Sequence, residues 1–174
     1  MVIDSNNKEL VKFLADNLRG DLIRFYYGDD VIGSEIGAAA KNVVGIAAGI
    51  LDGLSLSSLK GALMARAPRE ISRLISALGG DPVSAYGLCH VGDYEATLFS
   101  PHSHNRAYGE ALITGAEFTS LAEGYYTVRA LLTLGDVHKV DLPICRAVYN
   151  VIYEDKDAKG EIAALFSRSL KSEF

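Results

Sequence analysis

The sequence predicts an all-α domain preceded by a short β-α-β segment, and three observations carry that expectation. The stretch from Val31 to about Leu54 is apolar nearly all round, as a helix at the centre of a domain has to be. Helix start and stop signals then succeed one another to the C-terminus. Strand-like runs of β-branched and aromatic residues end at Tyr27.

Taken in order, Val2-Ile3 reads as a fragment of strand. Ser5 is a cap for a helix reaching about Leu18, with apolar positions at Leu10, Val11, Phe13, Leu14 and Leu18. Gly20 ends that helix, and Leu22 to Tyr27 reads as a second strand. Two strands and one helix are too few to bury a core, so residues 1–28 are expected to be the tail of a larger sheet domain and residues 29–174 a helical domain. Ser57 to Leu78 holds Leu59, Leu63, Ile71, Leu74 and Ile75 in helical register, with Gly79-Gly80 as a stop. Asp81-Pro82 and Ser100-Pro101 each combine a cap residue with a proline suited to the first helical position. They predict one helix starting after Asp81 and another from Ser100 to Ile113. Further helices fit Thr119 to Leu134, Pro143 to Tyr153 and Ala158 to Leu170.

Composition narrows the function. At 174 residues, with 49% hydrophobic and 22% charged residues, the chain can bury one ordinary core with a short appendage. A formal net charge of −5, without a basic run, makes nucleic acid an unfavourable partner. The longest apolar stretch, Ile36 to Leu51, contains Lys41 and Asn42 and is too short and too polar to be expected to span a membrane. Cys89 and Cys145 form no CxxC pair, and the N-terminus has neither a basic region nor an apolar signal core. Reduced thiols in a cytoplasmic protein are the expectation.

Three places carry possible chemistry. Lys41 stands in the middle of the most apolar helix, where a lysine needs a partner. The residues sharing its face (Gly33, Gly37, Ala40, Val44 and Ala48) are small and leave room around an ammonium. That pattern fits either a reactive amine or a small-residue helix contact with a lysine snorkelling from its edge. Asp93, in Gly92-Asp93-Tyr94-Glu95-Ala96-Thr97, is either a carboxylate partner for Lys41 or a surface turn residue. The run Ser100 to Arg106 sets Ser103, His104 and Asn105 in the first turn of a helix, where free amides and the dipole favour a phosphate and Ser, Asn and Arg side chains add donors. An ordinary capped helix is the alternative. His102 and His104, two apart on a helix, point in different directions and predict no metal site.

The segments DVIGSEIGAAAKNVVGIAAGILDGL, GDYEATLFSPHSHNRAYGEAL and LAEGYYTVRALLTLG follow one another in the order and spacing of the C-terminal domain of NAD(P)-dependent glycerol-3-phosphate dehydrogenases. The resemblance runs from about Val2 to Leu170. It implies a multi-helix, 6-phosphogluconate-dehydrogenase-like C-terminal domain behind a remnant of a Rossmann domain. By matching position, Lys41 resembles the proton acceptor for the C2 hydroxyl of sn-glycerol 3-phosphate, and Asp93 the catalytic aspartate beside it; both also match substrate-binding positions. Asn42, Thr97, Ser103, His104 and Asn105 match substrate-binding positions, while His104, Leu121 and Glu123 match positions that touch the NAD or NADP. The product side is dihydroxyacetone phosphate, the missing partner is an N-terminal Rossmann domain, and a homodimer is a candidate assembly.

Two departures bear on those expectations. Relatives carry S-R-N-R where this chain has Ser103-His104-Asn105-Arg106, and histidine is a weaker phosphate donor than a bidentate, permanently charged guanidinium. The chain also lacks a G-x-G-x-x-G fingerprint, so the isolated sequence is expected to be inactive without a nucleotide-binding half. A non-catalytic helical module for binding or dimerisation, derived from the same fold, is the competing expectation.

Overall fold

A computed structural model describes residues 1–169. The N-terminal segment is β1 (Val2–Asp4), α1 (Lys8–Leu18) and β2 (Tyr26–Gly28), with the two strands parallel and Val2 opposite Tyr26. The strand expected from Leu22 is shorter than the sequence implied, because only Tyr26–Gly28 has a paired neighbour; Leu22 is 98% exposed in a turn closed between Gly20 and Ile23. Asn7, not Ser5, caps α1: its Oδ1 accepts the Leu10 amide at 3.0 Å, while the Ser5 hydroxyl accepts the Asn7 amide.

The helical part is built on α2 (Val31–Gly53), flanked by α3 (Lys60–Ala77), α4 (His104–Thr114), α5 (Glu123–His138), α6 (Pro143–Tyr153) and α7 (Ala158–Phe166). Leu170, the expected end of the last helix, lies outside the described residues. Val43, Ile46 and Ile50 of α2 meet Ile71, Leu74 and Ile75 of α3, Val128 and Leu131 of α5, and Val148 of α6 in the main core. A second cluster joins Val44 and Ala48 of α2 to Ala67, Tyr94 and Leu98. Among the described helices α2 alone is long and apolar enough to cross a membrane, and half of its most apolar stretch is buried inside the fold.

Helix boundaries differ from the sequence reading where two cap signals compete. Ser57–Leu59 is a separate 3-10 turn, and α3 starts at Lys60 and runs through the buried Pro68, whose missing amide removes one helical bond. Asp81 does cap, with Oδ1 on the Val83 amide at 2.9 Å. Its helix is only the 3-10 turn Pro82–Tyr86, however, because Gly87 turns extended immediately after it. Ser100-Pro101 forms a turn and not a helix start: Ser100 accepts the amides of His102 and Ser103, and Ser103 becomes the N-cap of α4, accepting the Arg106 amide at 3.3 Å. Ser103 therefore lies at the cap, and His104 is the first helical residue. The helix expected from Thr119 starts four residues later, at Glu123.

Asp30 sets the start of α2. Its carboxylate accepts the Gly33 and Asp81 amides, each at 3.0 Å, and the Ser84 hydroxyl at 2.6 Å. Burial pushes the Asp30 carboxyl up, but those three donors more than offset it and hold it below the usual range. The turn Pro82–Tyr86, and the chain leading to Asp93, are thereby tied to the head of α2.

Helices α2 and α4 touch along their backbones. A Cβ at Gly49 would lie 1.9 Å from the Arg106 carbonyl oxygen, and one at Gly109 would lie 2.1 Å from that of Ile46. That contact brings the start of α4 beside the middle of α2, where Lys41 and Asn42 stand.

Candidate functional site

Lys41 and Asp93 form a salt bridge, Nζ to Oδ2, between the middle of α2 and a further 3-10 turn, Val91–Asp93. The Lys41 side chain is 24% exposed and that of Asp93 38%, so the pair faces an open edge while its backbone is anchored in the core. Of the two partners open to Lys41, water or a side chain, the ammonium takes the Asp93 carboxylate.

Asn42, next to Lys41, heads a polar chain. Its Oδ1 accepts from Asn105 Nδ2 at 3.1 Å, and its own Nδ2 donates to Glu123 Oε2 at 2.9 Å. Asn105 Oδ1 then accepts the Gly124 amide at 2.9 Å, so α2, α4 and α5 are stitched at one point. Gly124 permits the α5 approach, since a Cβ there would sit 2.6 Å from the Asn42 carbonyl oxygen. Thr97 and Asn105 are both buried against α2 at Gly45, where an added Cβ would meet Thr97 Cγ2 at 2.9 Å and Asn105 Cβ at 3.1 Å. The structure thus brings Lys41, Asn42, Asp93, Thr97, Asn105 and Glu123 into one neighbourhood. Ser103 and His104 join it through their helix, Ser103 half-buried at the cap and His104 exposed. Leu121 is 63% exposed, just ahead of α5.

Arg106 is committed elsewhere. The Ser100–Arg106 run suggested a free guanidinium for phosphate, but Arg106 Nη1 lies 3.0 Å from Asp52 and 2.8 Å from Glu110, and its Nε donates to the Ser100 carbonyl. Asp52 also receives Lys60 at 2.6 Å and the Ser57 hydroxyl at 2.7 Å. Burial raises the Asp52 carboxyl, but Lys60, Ser57 and Arg106 together bring it below its ordinary value. Burial likewise disfavours the Arg106 cation, and Asp52 with Glu110 outweighs it, so the net shift is upward. This network locks the start of α4, with its Ser103 cap and Asn105, to the far end of α2.

Sequence reasoning missed this network, and it missed His90. His90 is wholly buried, with Nδ1 2.8 Å from the Gly37 carbonyl oxygen and Nε2 2.7 Å from the Tyr94 hydroxyl. The available signal was the spacing: His90 and Tyr94 are four residues apart and flank Asp93. Glu70 was also overlooked. Only 2% exposed, it accepts the Ile144 and Cys145 amides at 2.8 and 2.9 Å and so caps α6 from α3. Burial raises its carboxyl against the pull of those two amides.

The layout defines the class: an all-helical domain built round one long apolar helix, with a lysine–carboxylate pair at its edge. The chain belongs to the family described as NAD-dependent glycerol-3-phosphate dehydrogenase C-terminus, whose model matches residues 30–163. It is 42% identical over 159 residues to glycerol-3-phosphate dehydrogenase [NAD(P)+] 1 of Salinibacter ruber, covering 87% of this chain and 47% of that protein. The crystal structure of glycerol-3-phosphate dehydrogenase from Coxiella burnetii superposes with a TM-score of 0.89 at 33% identity, over 96% of this chain and 54% of that one. The Plasmodium falciparum glycerol-3-phosphate dehydrogenase shares the fold at a TM-score of 0.85 and 14% identity. The chain spans about half the length of the curated relatives it matches.

Proposed function

We propose that residues 29–174 are the substrate-binding and catalytic half of a glycerol-3-phosphate dehydrogenase, and that residues 1–28 are the last strand, helix and strand of its nucleotide-binding half. The start of the family match at residue 30 supports this boundary. The reaction interconverts sn-glycerol 3-phosphate and dihydroxyacetone phosphate. The Lys41–Asp93 pair, beside the capped start of α4, is the observation that carries the reading.

In the reduction direction Lys41, paired with Asp93, donates a proton to the C2 carbonyl oxygen; in oxidation it takes the C2 hydroxyl proton. Asn42 and Asn105 orient the site through their shared hydrogen bond. The first amides of α4, at His104 and Asn105, have no helical acceptor and favour the substrate phosphate, with the Ser103 and His104 side chains beside them. Thr97 packs beneath this end of the site. NAD or NADP, when bound, supplies or receives the hydride at C2. The exposed Leu121 and Glu123, at the edge beside Asn42, fit contacts to that nucleotide, most of whose site belongs to the other half. The two free thiols, Cys89 and Cys145, suit a reducing, cytoplasmic setting.

The test is turnover of dihydroxyacetone phosphate with a reduced nicotinamide nucleotide in a polypeptide carrying both halves. Lys41→Ala is expected to lower kcat by roughly 10²–10⁴-fold, the range for a general acid–base group. Undiminished turnover in that variant overturns the mechanism. A folded two-half protein without any turnover favours the non-catalytic binding or dimerisation module instead.

A further inference from the structure

We propose that His90 is a positioning residue that holds Asp93 against Lys41 by joining the turn that bears Asp93 to the turn of α2 that bears Lys41. The inference rests on the reading of Lys41 and Asp93 as the working pair.

The connection is short. Gly37 lies four residues before Lys41, so both share one face of α2, and the α-helical pattern directs the Lys41 amide to the same Gly37 carbonyl that His90 engages. That carbonyl can only accept, so His90 Nδ1 carries a proton. In a neutral ring Nε2 then presents a lone pair, and the Tyr94 hydroxyl donates to it. Tyr94 is itself 1% exposed and packs with Val44, Ala48, Ala67 and Leu98. Residues 90–94 are therefore fixed at one end to α2 and at the other into the core, and Asp93 is held between the two.

Gly37 makes the approach possible. A Cβ there would fall 2.9 Å from Cys89 Sγ and 3.3 Å from His90 Cβ, so any side chain at this position would push the His90 segment, and Asp93 with it, away from α2. The ring also stays in one state. Burial pushes the imidazole down to about 4; the Gly37 bond opposes that and the Lys41 ammonium adds to it. One N–H and one lone pair are thus maintained throughout the neutral range. His90 has no exposed surface and does not reach the substrate, so it acts through Asp93 and Lys41 alone.

In the two-half protein, His90→Leu keeps the volume and removes both hydrogen bonds, whereas His90→Asn retains an amide nitrogen close to the position of Nδ1. His90→Leu is expected to lower kcat by roughly 10–100-fold, the scale of a misplacement of about 1 Å. The KM for dihydroxyacetone phosphate is expected to stay within about threefold, because the phosphate contacts at α4 are untouched. His90→Asn is expected to recover most of kcat. Should His90→Leu fail to fold, Gly37→Ala displaces the same segment without removing any core side chain and is expected to lower kcat with the same unchanged KM. The proposal is overturned if folded His90→Leu, or Gly37→Ala in its place, keeps wild-type kcat, or if the asparagine variant is as slow as the leucine one. Lys41→Ala in the same assay separates the two levels: full activity there removes the underlying reading, while an inactive Lys41→Ala beside a fully active His90→Leu removes only the positioning role.

Discussion

Acidification from pH 7 to pH 5 destabilises the helical domain through His90, and the size of the effect follows from its burial. The imidazole is held down to about 4 in the fold, whereas in the unfolded chain it titrates near its ordinary value of about 6.5. As pH falls through 6.5 the unfolded state takes up a proton that the native state refuses, so stability falls with falling pH until about pH 4. Stability from this group is therefore full above about pH 6.5 and is lost on the acid side. Each pH unit in that window is worth about 1.4 kcal/mol, which gives a loss of about 2 kcal/mol between pH 7 and pH 5 once the partial protonation at the upper end is counted. The assay is urea denaturation of wild type and His90→Asn at pH 7, 6 and 5. The asparagine variant has no proton to take up at this position, and the other three histidines, all exposed, cancel in the comparison. Asp30 and Asp52, held low by their partners, and Glu70, held high by burial, are common to both proteins and cancel as well. Wild type is expected to lose about 2 kcal/mol more than the variant, roughly a thirtyfold change in the folding equilibrium. Parallel pH profiles would falsify the claim that His90 is kept neutral in the fold.

Three further perturbations test other parts of the structure. Asp52→Asn leaves Lys60, only 5% exposed, and Arg106 without their shared carboxylate; breaking a buried pair in this way costs about 3–5 kcal/mol, measured as a lowered denaturation midpoint. Gly109→Ala forces a methyl group onto the Ile46 carbonyl of α2 and is expected to destabilise by about 1–3 kcal/mol in thermal melts despite alanine's better helix propensity. In the two-half protein, His104→Arg is expected to lower the KM for dihydroxyacetone phosphate by roughly tenfold, equivalent to one added charge-assisted hydrogen bond at the start of α4; an unchanged KM shows that residue 104 does not face the phosphate.

What the sequence disclosed, and what it hid, divides along the range of the interactions involved. The central helix was legible because its apolar character spans every face, and it appears as α2 within one residue of the expected bounds. The isolated lysine inside it was legible for the same reason. Asp93 was legible only as a candidate, since spacing in the chain does not show that a turn more than fifty residues away folds onto the same edge. Start signals were ambiguous wherever two capping residues stood close together. Ser100 and Ser103 both qualify, and the choice of Ser103 depends on α4 lying against α2, with Arg106 drawn to Asp52. The long-range ties (Arg106 to Asp52, Glu70 to the start of α6, His90 to Gly37) leave no periodic trace, because each joins one side chain to a backbone or carboxylate far off in the chain.

The glycines of α2 explain why so many of those ties converge on one helix. At Gly37 the His90 segment comes close to α2, at Gly45 Thr97 and Asn105 pack down, and at Gly49 the α4 backbone lies in contact. These three positions follow the face of Lys41 at intervals of four or eight residues, so the side of α2 that lacks bulk is the side that carries the amine. Larger residues there would hold the 90–94 turn and α4 away, and Asp93 and Asn105 would recede from Lys41 and Asn42. The space left by these small residues is therefore filled by neighbouring side chains at Gly37 and Gly45 and by backbone at Gly49, and does not form an open pocket around the ammonium. The open side of the pair is the edge where Asp93 remains partly exposed, and under the proposed function the substrate reaches the lysine from this edge.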